Sequence, residues 1–231
     1  RQDAGAHGVG VDLRRGARLT PRVLQVDADA VRACVLPTQA GPLAGDHDRL
    51  RIVVGAGATL VVTPVAATLA LPGAARTRLE LEIEVGADAR LVLEDAPLIV
   101  CAGADVERLT TLTLCGGAVA ALRDTVVLGR DEEDGGRLLS TLRAVDEEGV
   151  LLHDALALDP ATSARDAHVA LAPGHRATAT LCLLGAVTDI DPRHALARGG
   201  GLWRASAAGV AQLDAQLAEP WACWRSLLEG R

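Results

Sequence analysis

Arg78-Leu79-Glu80-Leu81-Glu82-Ile83-Glu84-Val85 alternates aliphatic and charged side chains without a break. A period of two gives a strand with one buried and one wet face, whereas a helix would scatter the same residues around its axis. The strand runs into Gly86-Ala87-Asp88-Ala89 and then Arg90-Leu91. The same succession of strand, glycine turn and strand occurs at Val54-Gly55-Ala56-Gly57-Ala58-Thr59-Leu60 and at Leu114-Cys115-Gly116-Gly117-Ala118-Val119-Ala120. A spacing of about thirty residues points to stacked β coils or serial hairpins. Gly149 and Gly174 open weaker versions. Glycine suits these reversals because tight turns between strands need backbone angles that a side chain opposes. An ordinary antiparallel sandwich with recurring turns is the competing architecture.

Outward from these units, charged stretches at 131–136, 146–149 and 159–166, the last containing Pro160, read as solvated connections and not as linkers between domains. After Gly199-Gly200-Gly201 the pattern changes. Val210, Leu213 and Leu217 have helical spacing, and Pro220 suits the first turn of a second helix carrying Trp221, Trp224, Leu227 and Leu228. The expectation is one domain over residues 1–231, with a β body at about 18–200 and a helical segment at about 205–229. The fold class is therefore mainly β, of solenoid or sandwich type, closed by two C-terminal α-helices.

Composition narrows the function classes. The chain has 231 residues, 23 basic against 30 acidic, a net charge of −7, and no basic block, which argues against nucleic acid as a partner. Phe, Tyr and Met are absent, so the core is built from small and branched aliphatics, and stacking platforms for single strands are missing. Cys34, Cys101, Cys115, Cys182 and Cys223 are widely spaced and odd in number, without a C-x-x-C pair or a secretory leader. They read as small hydrophobes in a reducing compartment. No apolar run reaches the length of a membrane span, so a soluble, cytoplasmic protein is expected.

Candidate chemistry is sparse. His7, His47, His153, His168, His175 and His194 are scattered, with no H-x-H or H-E-x-x-H pattern and no cysteine at ligand spacing. Asp46-His47-Asp48 places two carboxylates on one face of an extended segment and an imidazole on the other, a combination that borderline ions such as nickel accept. His153-Asp154 reads as a polar pair at a strand end. Ser140, Ser163, Ser206 and Ser226 lack the glycines of a nucleophile elbow, and the glycine-rich stretches lack the lysine of a phosphate loop. The row Glu80, Glu82, Glu84 is the wet face of a strand. Trp221 and Trp224 either fill the end of the core, the favoured reading, or anchor a partner protein.

The stretch Leu36-Pro37-Thr38-Gln39-Ala40-Gly41-Pro42-Leu43-Ala44-Gly45-Asp46, leading into Leu50 to Val54 and the turn Gly55-Ala56-Gly57-Ala58, resembles the urease accessory protein family UreD. Further ordered blocks carry the likeness from about Arg18 to Arg225: Asp95-Ala96-Pro97-Leu98-Ile99-Val100 with Gly103-Ala104; Leu122-Arg123-Asp124-Thr125-Val126-Val127-Leu128-Gly129-Arg130; Gly135-Gly136; Gly149-Val150-Leu151-Leu152-His153-Asp154; and Trp224-Arg225. The family's GG before the GD motif is reduced here to Ala40-Gly41. Its usual Thr-Gln-Ala stretch becomes Thr63-Pro64-Val65-Ala66-Ala67, and Asp124 stands where Glu is normal. The chain looks like a divergent, shorter member of the high-GC actinobacterial kind.

The resemblance implies a helical β fold of two layers with a pair of C-terminal helices, and a role without catalysis. Such proteins act as a scaffold between apo-urease and a complex of UreF with the GTPase UreG, offering nickel an internal route. No cofactor would be tightly bound, and nickel(II) would be in transit. On that basis Asp46, Asp124 and Asp154 are the candidates for lining the route, since carboxylates in a hydrated passage hold a borderline ion weakly enough to release it. Backbone amides at strand ends are the competing partners for these acids. A β-solenoid structural or adhesive protein is the alternative from another class, and a small hydrolase or isomerase is a third.

Overall fold

The structure, a computed structural model, describes residues 10–27, 30–160, 171–172, 174–188 and 192–229. An antiparallel pair, β1 (Leu19–Val26) and β2 (Ala30–Pro37), opens the chain. Coils follow. β3 (His47–Val54) leads to β4 (Thr59–Val62) and β5 (Thr68–Ala70), and β6 (Thr77–Val85) leads to β7 (Arg90–Glu94) and β8 (Leu98–Val100). β9 (Asp105–Leu114) then leads to β10 (Val119–Leu128). β11 (Arg137–Asp146) folds back into β12 (Gly149–Leu158), and β13 (Ala177–Leu184), β14 (His194–Ala195), β15 (Gly200–Ala207) and the helix α1 (Val210–Glu229) complete the order.

The strands form two facing sheets. The larger has ten strands in the order β1-β2-β4-β7-β10-β13-β15-β14, with β5 and β8 joined beside β10, and the smaller has five in the order β12-β11-β9-β6-β3. Within the coils the pairing is parallel: His47 lies beside Arg78, Thr77 beside Val106 and Asp105 beside Arg137, an offset of about thirty residues each time. The repeat is therefore a true β coil. Antiparallel pairs β1–β2, β11–β12, β10–β13 and β13–β15 flank it, so the sandwich alternative describes the ends of the array and the solenoid its middle. Gly149 and Gly174 open antiparallel strands and not further coils.

One four-residue turn recurs. At 55–58, 86–89 and 115–118 the fourth amide bonds the first carbonyl (Ala58 to Gly55 at 3.1 Å, Ala89 to Gly86 at 3.0 Å, Ala118 to Cys115 at 2.9 Å). The third residue has positive φ in each: Gly57 at 68°, Asp88 at 57°, Gly117 at 72°. The turns also stack, through Gly57 N to Ala87 O at 2.9 Å and Asp88 N to Gly116 O at 3.0 Å. The far end of the coils uses the same device at 101–104, with Gly103 third.

Two apolar layers hold the fold. Between the sheets pack Ile52, Ile83, Leu91, Leu112, Leu122 and Leu184 on one side, and Leu98, Val106, Val126, Leu138 and Leu158 on the other. Outside the larger sheet, α1 packs Leu213, Leu217, Trp221, Trp224 and Leu228 on Val61, Val92, Ala121, Leu181 and Leu183. Arg123 is ion-paired with Asp214 and Arg32 with Glu229 at 2.9 Å, fixing the helix near both ends.

The chain ends in one described helix and not two. Pro220 sits inside it, because Leu213, Leu217, Pro220, Trp221, Trp224 and Leu228 keep a single buried stripe in phase across the proline. Burial of that stripe outweighs the hydrogen bond that proline removes. The expected helical start near 205 is also corrected. Residues 200–207 form β15, whose register against β13 satisfies its backbone, and the helix begins at Val210. Trp221 and Trp224 are 5% and 0% exposed, and Trp224 Nε1 donates to Thr188 Oγ1 at 3.0 Å. They fill the layer between helix and sheet. Cys34, Cys101 and Cys182 are buried as small hydrophobes, but Cys115 lies exposed in a turn. Most of the connection expected at 159–166, with Ser163, and also His7 and His168, lies outside the described residues.

The stacked turns give a test of the coil. A Cβ at Gly86 would stand 2.8 Å from Ala56 N and 3.0 Å from Val54 O, while one at the equivalent Gly55 meets nothing within 4 Å. Gly86→Ala is expected to destabilise by about 1–3 kcal/mol through overpacking, and Gly55→Ala by less than about 0.5 kcal/mol. Urea denaturation of the two variants measures the difference, and equal effects would contradict the stacking.

Candidate functional site

Alternation along each strand decides which side chains enter the space between the sheets. On β9 the inward series is Val106, Arg108, Thr110, Leu112, and on β10 it is Leu122, Asp124, Val126. β11 offers Leu138, Ser140, Leu142, and β12 offers Leu152, Asp154, Leu156. In each series a polar residue separates the two apolar clusters. A polar layer about one residue deep therefore crosses the sandwich, and the clusters lie on either side of it.

Arginines pair across this layer. Arg108 Nη2 from the smaller sheet is ion-paired with Asp124 of the larger, and its Nε donates to Ser140 Oγ at 3.1 Å. Arg204 from β15 reaches the opposite way, ion-paired with Asp154 and donating through Nε to Thr180 Oγ1 at 3.0 Å. Thr180 is the register partner of both Asp124 and Arg204, which links the two bridges through the sheet. Arg18 supplies a third pairing, with Nη2 2.6 Å from Asp46 and Nε 2.7 Å from Asp48. Each of the three acids singled out from the sequence thus has an arginine counter-ion.

Asp46 also has a local task. Its carboxylate accepts the Leu43 amide at 2.6 Å, its own amide bonds Leu43 O at 3.0 Å, and Gly45 between them has φ 87°. The Gly45-Asp46 motif is the recurring coil turn with aspartate in the fourth place. His47 points the other way, to Glu80 at 2.8 Å on the wet face, as the alternation required. There Arg49 meets Glu80 and Arg51 meets Glu84, and Arg49 with His47 holds the Glu80 carboxyl below its usual range. His153 is exposed on the outer face while its neighbour Asp154 turns inward, so the pair is split in mid-strand and not placed at a strand end.

Openings lie at both ends of the layer. A cavity of about 140 Å³ is lined by Arg18, Asp48, Asp95 and Arg108 among apolar neighbours. At the other end, a cleft of about 590 Å³ is lined by Asp154, Arg204, Arg193, His194 and Gln216. Asp95, quoted in the sequence only as part of a family block, is an addition to the candidate residues. It lies between β7 and β8, its amide bonding Arg123 O at 3.0 Å, at the level where the larger sheet breaks. Burial raises its pKa, Arg108 opposes that shift, and Asp124 adds to it. The signal that would have exposed Arg108, Arg204 and Asp95 is a charged residue at an inward position of an otherwise apolar parity. Among the described residues no three His, Cys, Asp or Glu side chains form a metal-ligand group, and no helix is long and apolar enough to cross a membrane.

Two stability experiments follow from the layer. Asp124→Ala strands the buried Arg108 guanidinium and is expected to cost about 3 kcal/mol, the low end of the range because Asp95 stands nearby; Arg108→Met with Asp124→Leu should recover most of it. Urea denaturation of single and double variants checks this, and additive losses would refute it. Asp95→Asn removes the titration. Since the folded carboxyl holds its proton to higher pH than the ordinary 3.8, wild-type stability falls as pH rises from that value through the raised one. The variant should therefore melt at higher temperature than wild type near neutral pH and lose that advantage toward pH about 4. An advantage independent of pH would exclude a charge effect.

The model of the family described as UreD urease accessory protein matches residues 4–230. Curated relatives include urease accessory protein UreD 1 of Streptomyces griseus, 38% identical over 69% of this chain and 63% of the relative. UreD of Frankia alni is 47% identical over 48% of this chain and 37% of the relative. UreD of Streptomyces coelicolor is 36% identical over 86% of this chain and 79% of the relative. The matched part of the chain spans less than two thirds of the length of the first two relatives.

Proposed function

The chain belongs to the UreD urease accessory protein family, and from that premise we propose that it is a non-enzymatic scaffold for nickel loading of urease. In this reading it binds apo-urease and the UreF–UreG pair in the cytoplasm, and nickel(II) passes through it as cargo. The observation that carries the proposal is the inward position of Asp124 and Asp154 in one polar layer with a cavity at one end and a cleft at the other, and the pairing of Asp46 with Arg18, which lines that cavity. Carboxylates spaced along a hydrated layer give a borderline ion weak, exchangeable oxygen ligands, whereas a closed set of imidazoles or thiolates would retain it. The ending of the parallel coils in antiparallel pairs weighs against an extended structural array.

The test is co-expression of the tagged chain with the urease structural subunits, UreF and UreG in nickel-supplemented cells, followed by pull-down and a urease assay. The partners should co-purify, and urease activity should fall when the chain is omitted. Asp124→Asn should lower activity while the partners still co-purify. If nothing co-purifies and activity is unchanged, the chain is a β-coil binding module without a part in nickel loading.

A further inference from the structure

Arg108 projects from β9 into the interior and is 6% exposed. It meets Asp124 through one carboxylate oxygen, Oδ2, while Oδ1 is buried and has no hydrogen-bond partner among the described residues. A carboxylate oxygen that takes no bond from the protein is free to accept another donor or a cation. The guanidinium occupies Oδ2 and leaves Oδ1 unpaired, so a cation that engaged Oδ1 would stand beside a fixed positive charge. Two positive groups on one carboxylate repel each other, which weakens its hold on the cation.

Arg108 also has somewhere to go. It lines the cavity of about 140 Å³, which is large enough to hold water. Asp95 shares that lining, is electrostatically coupled to Arg108, and has no salt-bridge partner of its own among the described residues. A side chain with several rotatable bonds, two neighbouring acids on the facing sheet and an adjoining space has two charged resting places.

We propose that Arg108 is the resident counter-ion of the interior. At rest it denies Asp124 to a divalent cation, and the cation is held only when the guanidinium leaves Asp124 for the cavity toward Asp95. The proposal deepens the nickel-transfer reading and rests on it. In these terms the bridge closes the layer between passages, and displacement of one positive group by another releases the cation as readily as it admits it.

The experiment is equilibrium dialysis of the purified full chain against Ni²⁺, with circular dichroism reporting the fold. Arg108→Gln removes the charge and keeps an amide donor for Ser140. It should bind Ni²⁺ about tenfold more tightly than the unaltered chain, and adding Asp124→Asn should abolish the gain. A folded R108Q protein with unchanged affinity, or a gain that survives D124N, overturns the proposal. Should R108Q fail to fold, Arg108→Lys decides: its point charge lacks the fork, so a gain of about threefold is expected and no gain overturns the idea. Urease activation by the same variants separates this proposal from the reading beneath it. Tighter Ni²⁺ binding by R108Q with activation unaffected by either R108Q or D124N would support the counter-ion and refute transfer. Unchanged binding with activation lost in D124N would refute the counter-ion and leave transfer standing.

Discussion

Ion pairs that reach from one sheet to the other set the architecture of the interior. Arg108 with Asp124 and Arg204 with Asp154 run in opposite senses, each adding a hydroxyl partner, Ser140 or Thr180. Charges taken from water are tolerated only where their donors and acceptors are largely met, because an unpaired one costs several kcal/mol. This requirement fixes the register of β9 and β12 against β10 and β15, since a slip of one residue would turn every charge outward and every apolar neighbour with it. It also explains why the apolar interior is divided, with Leu112 and Leu122 on one side of the layer and Val106 and Val126 on the other.

The larger sheet is shaped by the same layer. β4 stops at Val62 and β5 resumes at Thr68, while β7 stops at Glu94 and β8 resumes at Leu98. Pro64 and Pro97 fall in those gaps, where a missing amide takes no hydrogen bond from the ladder. β10 runs unbroken through the level of the gaps and carries Asp124, and it pairs with β7 above the break and β8 below it. The interruption leaves space that Arg108 and Asp95 line. A cavity in a core of small aliphatics is thus a result of where the strands stop.

Much of this was legible in residues 78–85. Their parity established a half-buried strand, and the glycine turns set the coil length, because a turn whose third residue needs positive φ leaves a mark in the sequence at 57 and 117 and, as aspartate, at 88. The proline at 220 misled for a physical reason. Local chemistry predicts a helix start there, but the large Trp221 and Trp224 rings are buried in phase with Leu213 and Leu217, and they hold one helix through it. β15 was hidden because Gly200 and Gly201 suggest a loop, whereas here they allow close approach to Leu183 O and to Pro192. The parity of β9 and β15 marks Arg108 and Arg204 as inward charges, but which acid each one meets was hidden, since pairing between sheets joins residues as far apart as 154 and 204.

The candidate acids are therefore less like a row of waiting ligands than their sequence suggested. Asp46 closes a turn and is shared with Arg18, and Asp124 and Asp154 each hold a guanidinium. A passage lined only by carboxylates would bind a divalent ion at each step and leave a buried excess of negative charge when empty. Arginines neutralise that excess and keep the two sheets together without a metal. Their positive charge also weakens the hold of any acid on a passing cation, and weak holding is what transfer demands. On the nickel-transfer reading proposed above, the stability of the empty scaffold and the exchangeability of its cargo come from the same pairs.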